Sequence, residues 1–446
     1  MKRFVEKYYS FLIAPISIAP LVIFRIIIGF MLTFSTVRFM YLGWIKEHYI
    51  SPIFHFKYYG FGWVEVAPDW LIYLIHCLMI VAALGVMLGF LYRISAVLLF
   101  ILFTYTELLD LTYYLNHYYF VSLFCAYLIV VPANKKLSLD AYFGLTKPTD
   151  FVPRWSVLLF KMQLAIVYFY AGVAKINTAW LLEALPLKIW LPAHDTMPLI
   201  GKIFTWKITP YFFSWCGMLY DCFVPFLLYW RKTRLWAYLT VIFFHSITGF
   251  LFQIGVFPLV MIGATLIFFS DEFHQKIIDL FPKKENTTIH FPIKSFFTNK
   301  ILIAFLSLNM LFQILFPWRY LLYDGNLFWT EEGYRFSWRV MLMEKAGTAT
   351  FYVKDSKTGT EGAVDNSEFL NLHQEKQMAM QPDMILQFAH YLADYYKQKG
   401  VHEPQVRAEV YVTLNGKPSQ LLIKPDVDLS KIQDSFAQKD WILHYD

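Results

Sequence analysis

About nine stretches of this sequence, near residues 18-40, 69-91, 94-112, 117-132, 155-176, 209-230, 235-252, 254-270 and 299-317, stay apolar for the length a helix needs to cross roughly 30 Å of hydrocarbon. Within hydrocarbon, backbone polar groups must be satisfied inside the segment itself, which restricts such runs to α-helices. The expected fold is therefore a mainly α polytopic membrane protein of about nine transmembrane helices. Composition agrees, since 57% hydrophobic and 16% charged residues leave too little polar surface to cover a water-soluble chain of 446 residues. The net charge of +6 comes from cations scattered near span ends rather than from one basic tract, which makes the lipid bilayer the expected partner and excludes nucleic acid. Lys2, Arg3 and Lys7 precede an apolar run too long for a signal peptide and without a small-residue cleavage site, so it reads as a retained first span.

The distribution of cations orients the chain. With the N-terminus cytoplasmic, the inside connections hold Arg93, then Lys135, Lys136, Lys147 and Arg154, then Arg231, Lys232 and Arg234, then Lys276, Lys283, Lys284, Lys294 and Lys300. The sequon-like Asn286-Thr287-Thr288 falls inside on this scheme and carries no weight. An odd number of spans then places the remainder outside. This divides the chain into a membrane domain, residues 1-317, and an extracytoplasmic α+β domain, residues 318-446. In the latter, "FSWRVMLM" and "TATFYVKD" read as strands, "SEFLNLHQEKQMAMQPDMILQFAHYLADYYKQKG" as helix broken near Pro382, and "QVRAEVYVTLNGKPSQLLI" as a hairpin turning at Asn415-Gly416. The four cysteines, Cys77, Cys125, Cys216 and Cys222, all lie in apolar segments and read as small hydrophobes.

Polar groups inside spans are costly and need a reason to be there. Arg25 and Asp221 read as structural pairing groups, and His245 as either an interhelical hydrogen-bonding group or a cavity-lining one. The third run ends outward at "ELLDLTYYLNHYYF", bringing Asp110, Asn116 and His117 to the outer boundary, and the fifth ends there at "YFYAGVAKINTAW", with Lys175 and Asn177. Two readings of Lys175 stand at this point. It snorkels to the headgroups, or apolar walls favour its neutral amine, which then acts as a base with an imidazole and an amide nearby.

The stretches "ALGVMLGFLYRIS", "LLDLTYYLNHYYF", "VYFYAGVAKINTAW", "FHSITGFLFQIGVF", "FWTEEGYRFSWRVMLM" and "HEPQVRAEVYVTLNGKPSQLLIKPDVDL" resemble, in order, the vitamin K-dependent gamma-glutamyl carboxylase family, with its HTTM-type membrane domain. The resemblance implies an enzyme that deprotonates reduced vitamin K or menaquinone, lets the anion react with O2, and uses the resulting base to remove a γ-proton from peptidyl glutamate. CO2 captures the carbanion, the quinone leaves as its 2,3-epoxide, and no metal takes part. It also implies a glutamate-containing peptide or protein substrate, a quinone reductase that supplies the hydroquinone, and, for so short a chain, a bacterial inner membrane. By resemblance the catalytic residues are Lys175, His117 and Asn116. The quinone pocket falls on Tyr168, Ile254 and Phe257, with His245 beside them, and the glutamate site on Trp329, Tyr334, Ser337, Trp338 and Lys345.

The departures from the animal members carry information. Ala174 precedes Lys175 where they have paired lysines, Lys345 stands for an arginine, Met343 for a histidine, and Gln377, beside Lys376, for a basic residue. A lysine keeps the charge of an arginine but not its bidentate fork. Their long C-terminal extension and disulfide cysteines have no counterpart here, so a quinol epoxidase that does not carboxylate protein is the alternative. A transporter or structural protein is a second alternative, without support from an internal repeat.

Overall fold

The computed structural model describes residues 2–252, 254–281 and 296–445. Lys283, Lys284, Lys294 and the Asn286 sequon lie outside the described residues. The chain opens with an amphipathic helix, α1 (Lys2–Ile13), and continues through α2 (Ala19–Tyr41), α3 (Asp69–Leu88), α4 (Tyr92–Leu108), α5 (Asn116–Val130), α6 (Trp155–Val173), α7 (Thr209–Tyr229) and α8 (Arg234–Phe252). After these come α9 (Phe257–Thr265), α10 (Asp271–Ile278) and α11 (Lys300–Leu315), the last continuing as a 3-10 segment to Leu322. Two short strands, β1 (Pro15–Ser17) and β2 (Phe151–Pro153), pair antiparallel just before α2 and α6, so these two helices start at the same end of the bundle.

Six helices among the described residues are long and apolar enough to cross a membrane, namely α2, α3, α6, α7, α8 and Lys300–Leu322. The bent pair Phe257–Phe268 and Asp271–Ile278, broken by 112°, would make a seventh. The expected third span, 94-112, ends early at Leu108 because the chain leaves the helix at Asp110, while the expected fourth, 117-132, forms nearly as read. The Asp110 carboxylate accepts from the amide and hydroxyl of Thr112, and α5 restarts only at Asn116 with 15 residues. Such a helix is about 22 Å long, short of the hydrocarbon thickness.

The C-terminal part holds a four-stranded antiparallel sheet in the order β4-β3-β5-β6, built from β3 (Lys345–Lys354), β4 (Glu361–Ala363), β5 (Gln405–Leu414) and β6 (Gln420–Leu421). The β5–β6 hairpin turns at Asn415 and Gly416, both at positive φ, as the Asn-Gly pair requires. Helices α12 (Leu372–Met378) and α13 (Pro382–Gln398) are separated just before Pro382, which takes the first helical position where no N–H is needed. One side of α13 buries Met384, Ile385, Phe388, Ala389 and Leu392 in the core that also holds Phe351 and Val410.

"FSWRVMLM" is not a strand. Phe336, Trp338 and Met341 all have positive φ, which breaks any period-2 alternation, and Ser337 and Trp338 are both buried. This irregular segment lies against the α4–α5 loop, where the Phe336 amide donates to Tyr114 Oη at 2.7 Å. The sheet domain is fixed to the same loop through Gln374, whose Nε2 donates to Asp110 Oδ2 and to the Phe54 carbonyl, each at 2.7 Å. Asp110 is thereby committed to holding the two parts together.

Candidate active site

The position of Lys175 follows from how α6 ends. The Lys175 amide closes a turn onto the Gly172 carbonyl, and Asn177 caps the next helical turn by accepting from the Trp180 amide at 2.9 Å, so the chain folds back over its own end. α7 passes very close here. A Cβ on Gly172 would lie 2.5 Å from the Cys222 nitrogen and 2.9 Å from the Asp221 carbonyl carbon, so only glycine permits the approach.

That approach brings Asp221 to Lys175. Nζ donates to Asp221 Oδ2 at 2.8 Å and to the Ala171 carbonyl at 3.0 Å, and it lies 5.5 Å from the centroid of the Trp180 ring. Lys175 is 6% exposed and Asp221 4%, so the lysine does not snorkel. A buried pair of this kind is stable only with each partner present, since removing one leaves an uncompensated charge.

The pair borders a partly open cavity of about 120 Å³. Tyr168, His245, Ile254 and Phe257 line the same cavity, so side chains from α6, α8 and around the start of α9 meet Lys175 there. Tyr168 Oη lies 3.2 Å from His245 Nε2 and 3.1 Å from Thr265 Oγ1. His245 Nδ1 is buried and has no partner among the described residues. The remaining wall is largely apolar and aromatic, including Trp190, Phe213, Phe244 and Met261. His117 stops one ring away: its imidazole stacks on Phe257 with centroids 4.9 Å apart and 25° between planes. Asn116 accepts from Tyr114 Oη at 2.9 Å and donates to the Arg339 carbonyl at 2.6 Å, which ties the start of α5 to the irregular segment.

A second, larger groove of about 610 Å³ flanks the other side of the α6 end, touching Ala174 and Asn177. Of the five residues expected to hold glutamate, Ser337 alone lines it. Its hydroxyl accepts from Arg319 Nη1 at 2.8 Å and donates to the Gly333 carbonyl at 2.9 Å. Trp329 is fully buried and donates to the Leu443 carbonyl at 2.8 Å. Trp338 stacks on Tyr119 at 5.1 Å, and Tyr334 packs on Phe328 at 6.3 Å. Lys345, at the start of β3, is 7% exposed and gives its hydrogen bonds to Glu331 Oε1 at 2.8 Å and the Trp329 carbonyl at 2.9 Å. Burial pulls its ammonium below the ordinary lysine range, and Glu331 opposes that shift.

Two residues that sequence reasoning did not place in a site belong to this geometry. Asp221 reads in the sequence only as a pairing group, and its partner lies 46 positions away, beyond any local pattern. Arg339 follows Trp338 directly. It is 9% exposed, lines the groove, lies over the Tyr320 ring at 4.4 Å, and leaves Nε without a partner among the described residues. An arginine immediately after a tryptophan in an otherwise apolar stretch was the available signal.

The chain carries the architecture of an HTTM-type membrane protein, and residues 13–273 match the HTTM domain family. Residues 298–446 match the vitamin K-dependent gamma-carboxylase lumenal domain. With both halves matched, the chain belongs to the vitamin K-dependent gamma-glutamyl carboxylase family. No solved structure matches it.

Proposed function

We propose that this protein is an integral-membrane γ-glutamyl carboxylase that couples oxygenation of a reduced quinone, vitamin K or menaquinone, to carboxylation of peptidyl glutamate. The observation that carries the reading is the buried Lys175–Asp221 pair beside an aromatic cavity, in a chain whose two parts match the HTTM domain and the vitamin K-dependent gamma-carboxylase lumenal domain. The cavity suits the ring of a quinol: its walls are apolar and its polar ends are few, among them the orphaned His245 Nδ1. Its volume is that of a ring system, so a prenyl tail lies outside it. When bound, the quinol supplies, with O2, the strong base that γ-proton removal demands.

The chain's own residues do the rest. Lys175, as the amine, takes the hydroxyl proton of the quinol, and Asp221 at 2.8 Å stabilises the ammonium that forms. Tyr168 and His245 hydrogen-bond across the ring site, His117 backs Phe257, and Asn116 holds the segment that carries Arg339. The largely apolar wall disfavours water beside a base and a carbanion that it would quench. The glutamate peptide occupies the outer groove, with Ser337 and Arg339 as its polar contacts. CO2 is the second co-substrate and a quinone reductase the supplier of quinol.

The topology proposed with this function has nine passes, a cytoplasmic N-terminus and the sheet domain, residues 318-446, outside the inner membrane of a bacterium. Its support is the alternation of direction. α2 and α6 start at the end marked by the β1–β2 pair, whereas the α4–α5 loop and the end of α6 meet the sheet domain or its leading segment.

One observation favours a second reading, quinol epoxidation without protein carboxylation. Lys345 is already neutralised by the chain's own Glu331, so it is not free to receive a substrate carboxylate. Purified protein supplied with reduced vitamin K or menaquinone, O2, labelled CO2 and glutamate peptides separates the two. Epoxide with fixed label supports carboxylation, epoxide alone the second reading, and neither product across a range of quinols contradicts both.

A further inference from the structure

Arg25 takes no part in the site above, yet it is the largest buried charge at the opposite end of the bundle. It is fully buried in α2, and its Nη2 donates to the Leu137 carbonyl at 2.6 Å. Nε and Nη1 have no partner among the described residues. The carboxylate of Asp140 acts on Arg25 through its charge, but its oxygens are taken by the amides of Leu91 and Tyr92, at 2.7 and 3.0 Å, and by Asn134 Nδ2 at 2.7 Å. A guanidinium with unfilled N–H groups costs too much to bury without an anion to meet it.

Arg25 lines a cavity of about 900 Å³, large enough for part of a lipid. Lys135 lines it as well, in the company of Arg93 and Lys147, and burial and these like charges pull its ammonium below the ordinary lysine range. Lys136, also on the wall, is occupied by Asp150 at 2.6 Å and Gln275 at 2.9 Å. The rest of the wall is largely apolar, with Ile26, Leu88, Leu139 and Ile278. A wall that carries Arg25, Lys135 and Lys136 and is otherwise largely apolar suits an amphiphilic anion better than a free ion.

The depth is right for such a ligand. Ser17 of β1 and Phe151 of β2 border the cavity, so it lies at the start of α6, while Lys175 lies past its end, about 28 Å away along 19 residues. α1 lies at the same end, attached through Arg154, whose guanidinium sits 4.3 Å from the Phe11 ring centroid. α1 exposes Phe4, Val5, Tyr8 and Phe11 and carries Lys2, Arg3 and Lys7, as a helix lying in the headgroup plane would.

We propose that this cavity is a binding site for one anionic phospholipid of the leaflet remote from the sheet domain. Its phosphate meets Arg25 and Lys135, and its acyl chain runs along Ile26, Leu88, Leu139 and Ile278. The test uses the full chain in mild detergent, titrated with dioleoylphosphatidylglycerol, dioleoylphosphatidylcholine or inorganic phosphate, with bound lipid read by native mass spectrometry. Phosphatidylglycerol should bind at one per chain and in preference to phosphatidylcholine. Lys135→Gln, at a half-exposed position that does not threaten the fold, should weaken it about fivefold, the worth of one cation at a membrane surface. Arg25→Met should weaken it at least as much if it folds. Equal binding of the two lipids, or an unchanged affinity in Lys135→Gln, overturns the proposal. Inorganic phosphate that displaces phosphatidylglycerol at equal concentration overturns the lipid in favour of a free anion.

Discussion

Asp221→Asn tests the chemistry of the site, because it keeps the shape and a hydrogen-bond acceptor beside Lys175 while removing the charge. At the observed 2.8 Å and an effective dielectric of about 20, two unit charges attract by about 6 kcal/mol. Desolvation of both ions and the residual dipole of the amide offset roughly half of that. If Asp221 stabilises the ammonium formed when Lys175 takes a proton, the variant loses about 3 kcal/mol in the step, close to a hundredfold in rate. The assay is the initial rate of epoxide formation from saturating reduced vitamin K by purified protein. The thermal midpoint is measured alongside, so that a folding defect is seen as such. An unchanged rate would refute the reasoning, and so would a faster one, which would mean that Asp221 holds the lysine protonated and idle.

Other outcomes follow from the same geometry. Gly172→Ala forces a methyl into the α6–α7 contact and should cost about 1–3 kcal/mol of stability, with a matching fall in epoxide formation, by thermal unfolding and assay. Arg339→Gln should raise KM for a glutamate peptide about tenfold or more and leave epoxide formation in the absence of peptide intact, as expected for a lost charge-assisted contact; an unmoved KM would remove Arg339 from the groove's function. Lys345→Gln should lower the thermal midpoint and leave KM for peptide almost unchanged, because Lys345 is engaged with Glu331. In the sheet domain, burial raises the Asp383 carboxyl but the paired Arg335 reverses the shift and holds it below the ordinary range. A carboxyl lowered in the folded state stabilises it above about pH 4, and that contribution is lost as pH falls through the lowered value. Asp383→Asn should flatten this acid dependence in unfolding curves.

Much of the site was legible because its parts are unusual where they stand. A lysine closing an apolar helix, a histidine within a span and a tyrosine two turns before the lysine are each costly or conspicuous, and Lys175, His245 and Tyr168 line one cavity. What escaped were relations across sequence. Asp221 reads as one polar residue in α7 until the glycine contact at Gly172 sets it against Lys175. The glutamate residues rest on position alone, and position does not say that Glu331 already occupies Lys345. In the fold, Asn415-Gly416 and Pro382 marked their turn and break by local chemistry. The strand expected at "FSWRVMLM" failed because left-handed residues at Phe336, Trp338 and Met341 cannot be read from hydrophobicity. Apolar run length carried the end of α4 past Leu108 because Asp110 captures the loop that follows.

The central claim is that Lys175 is the base that activates the quinol, and one comparison bears on it most directly. Wild-type protein and Lys175→Ala, each purified to the same elution volume and secondary-structure content, are given reduced vitamin K and O2, and the 2,3-epoxide is quantified. The wild type should form epoxide and Lys175→Ala none above background. Epoxide formation by Lys175→Ala at the wild-type rate would contradict the assignment.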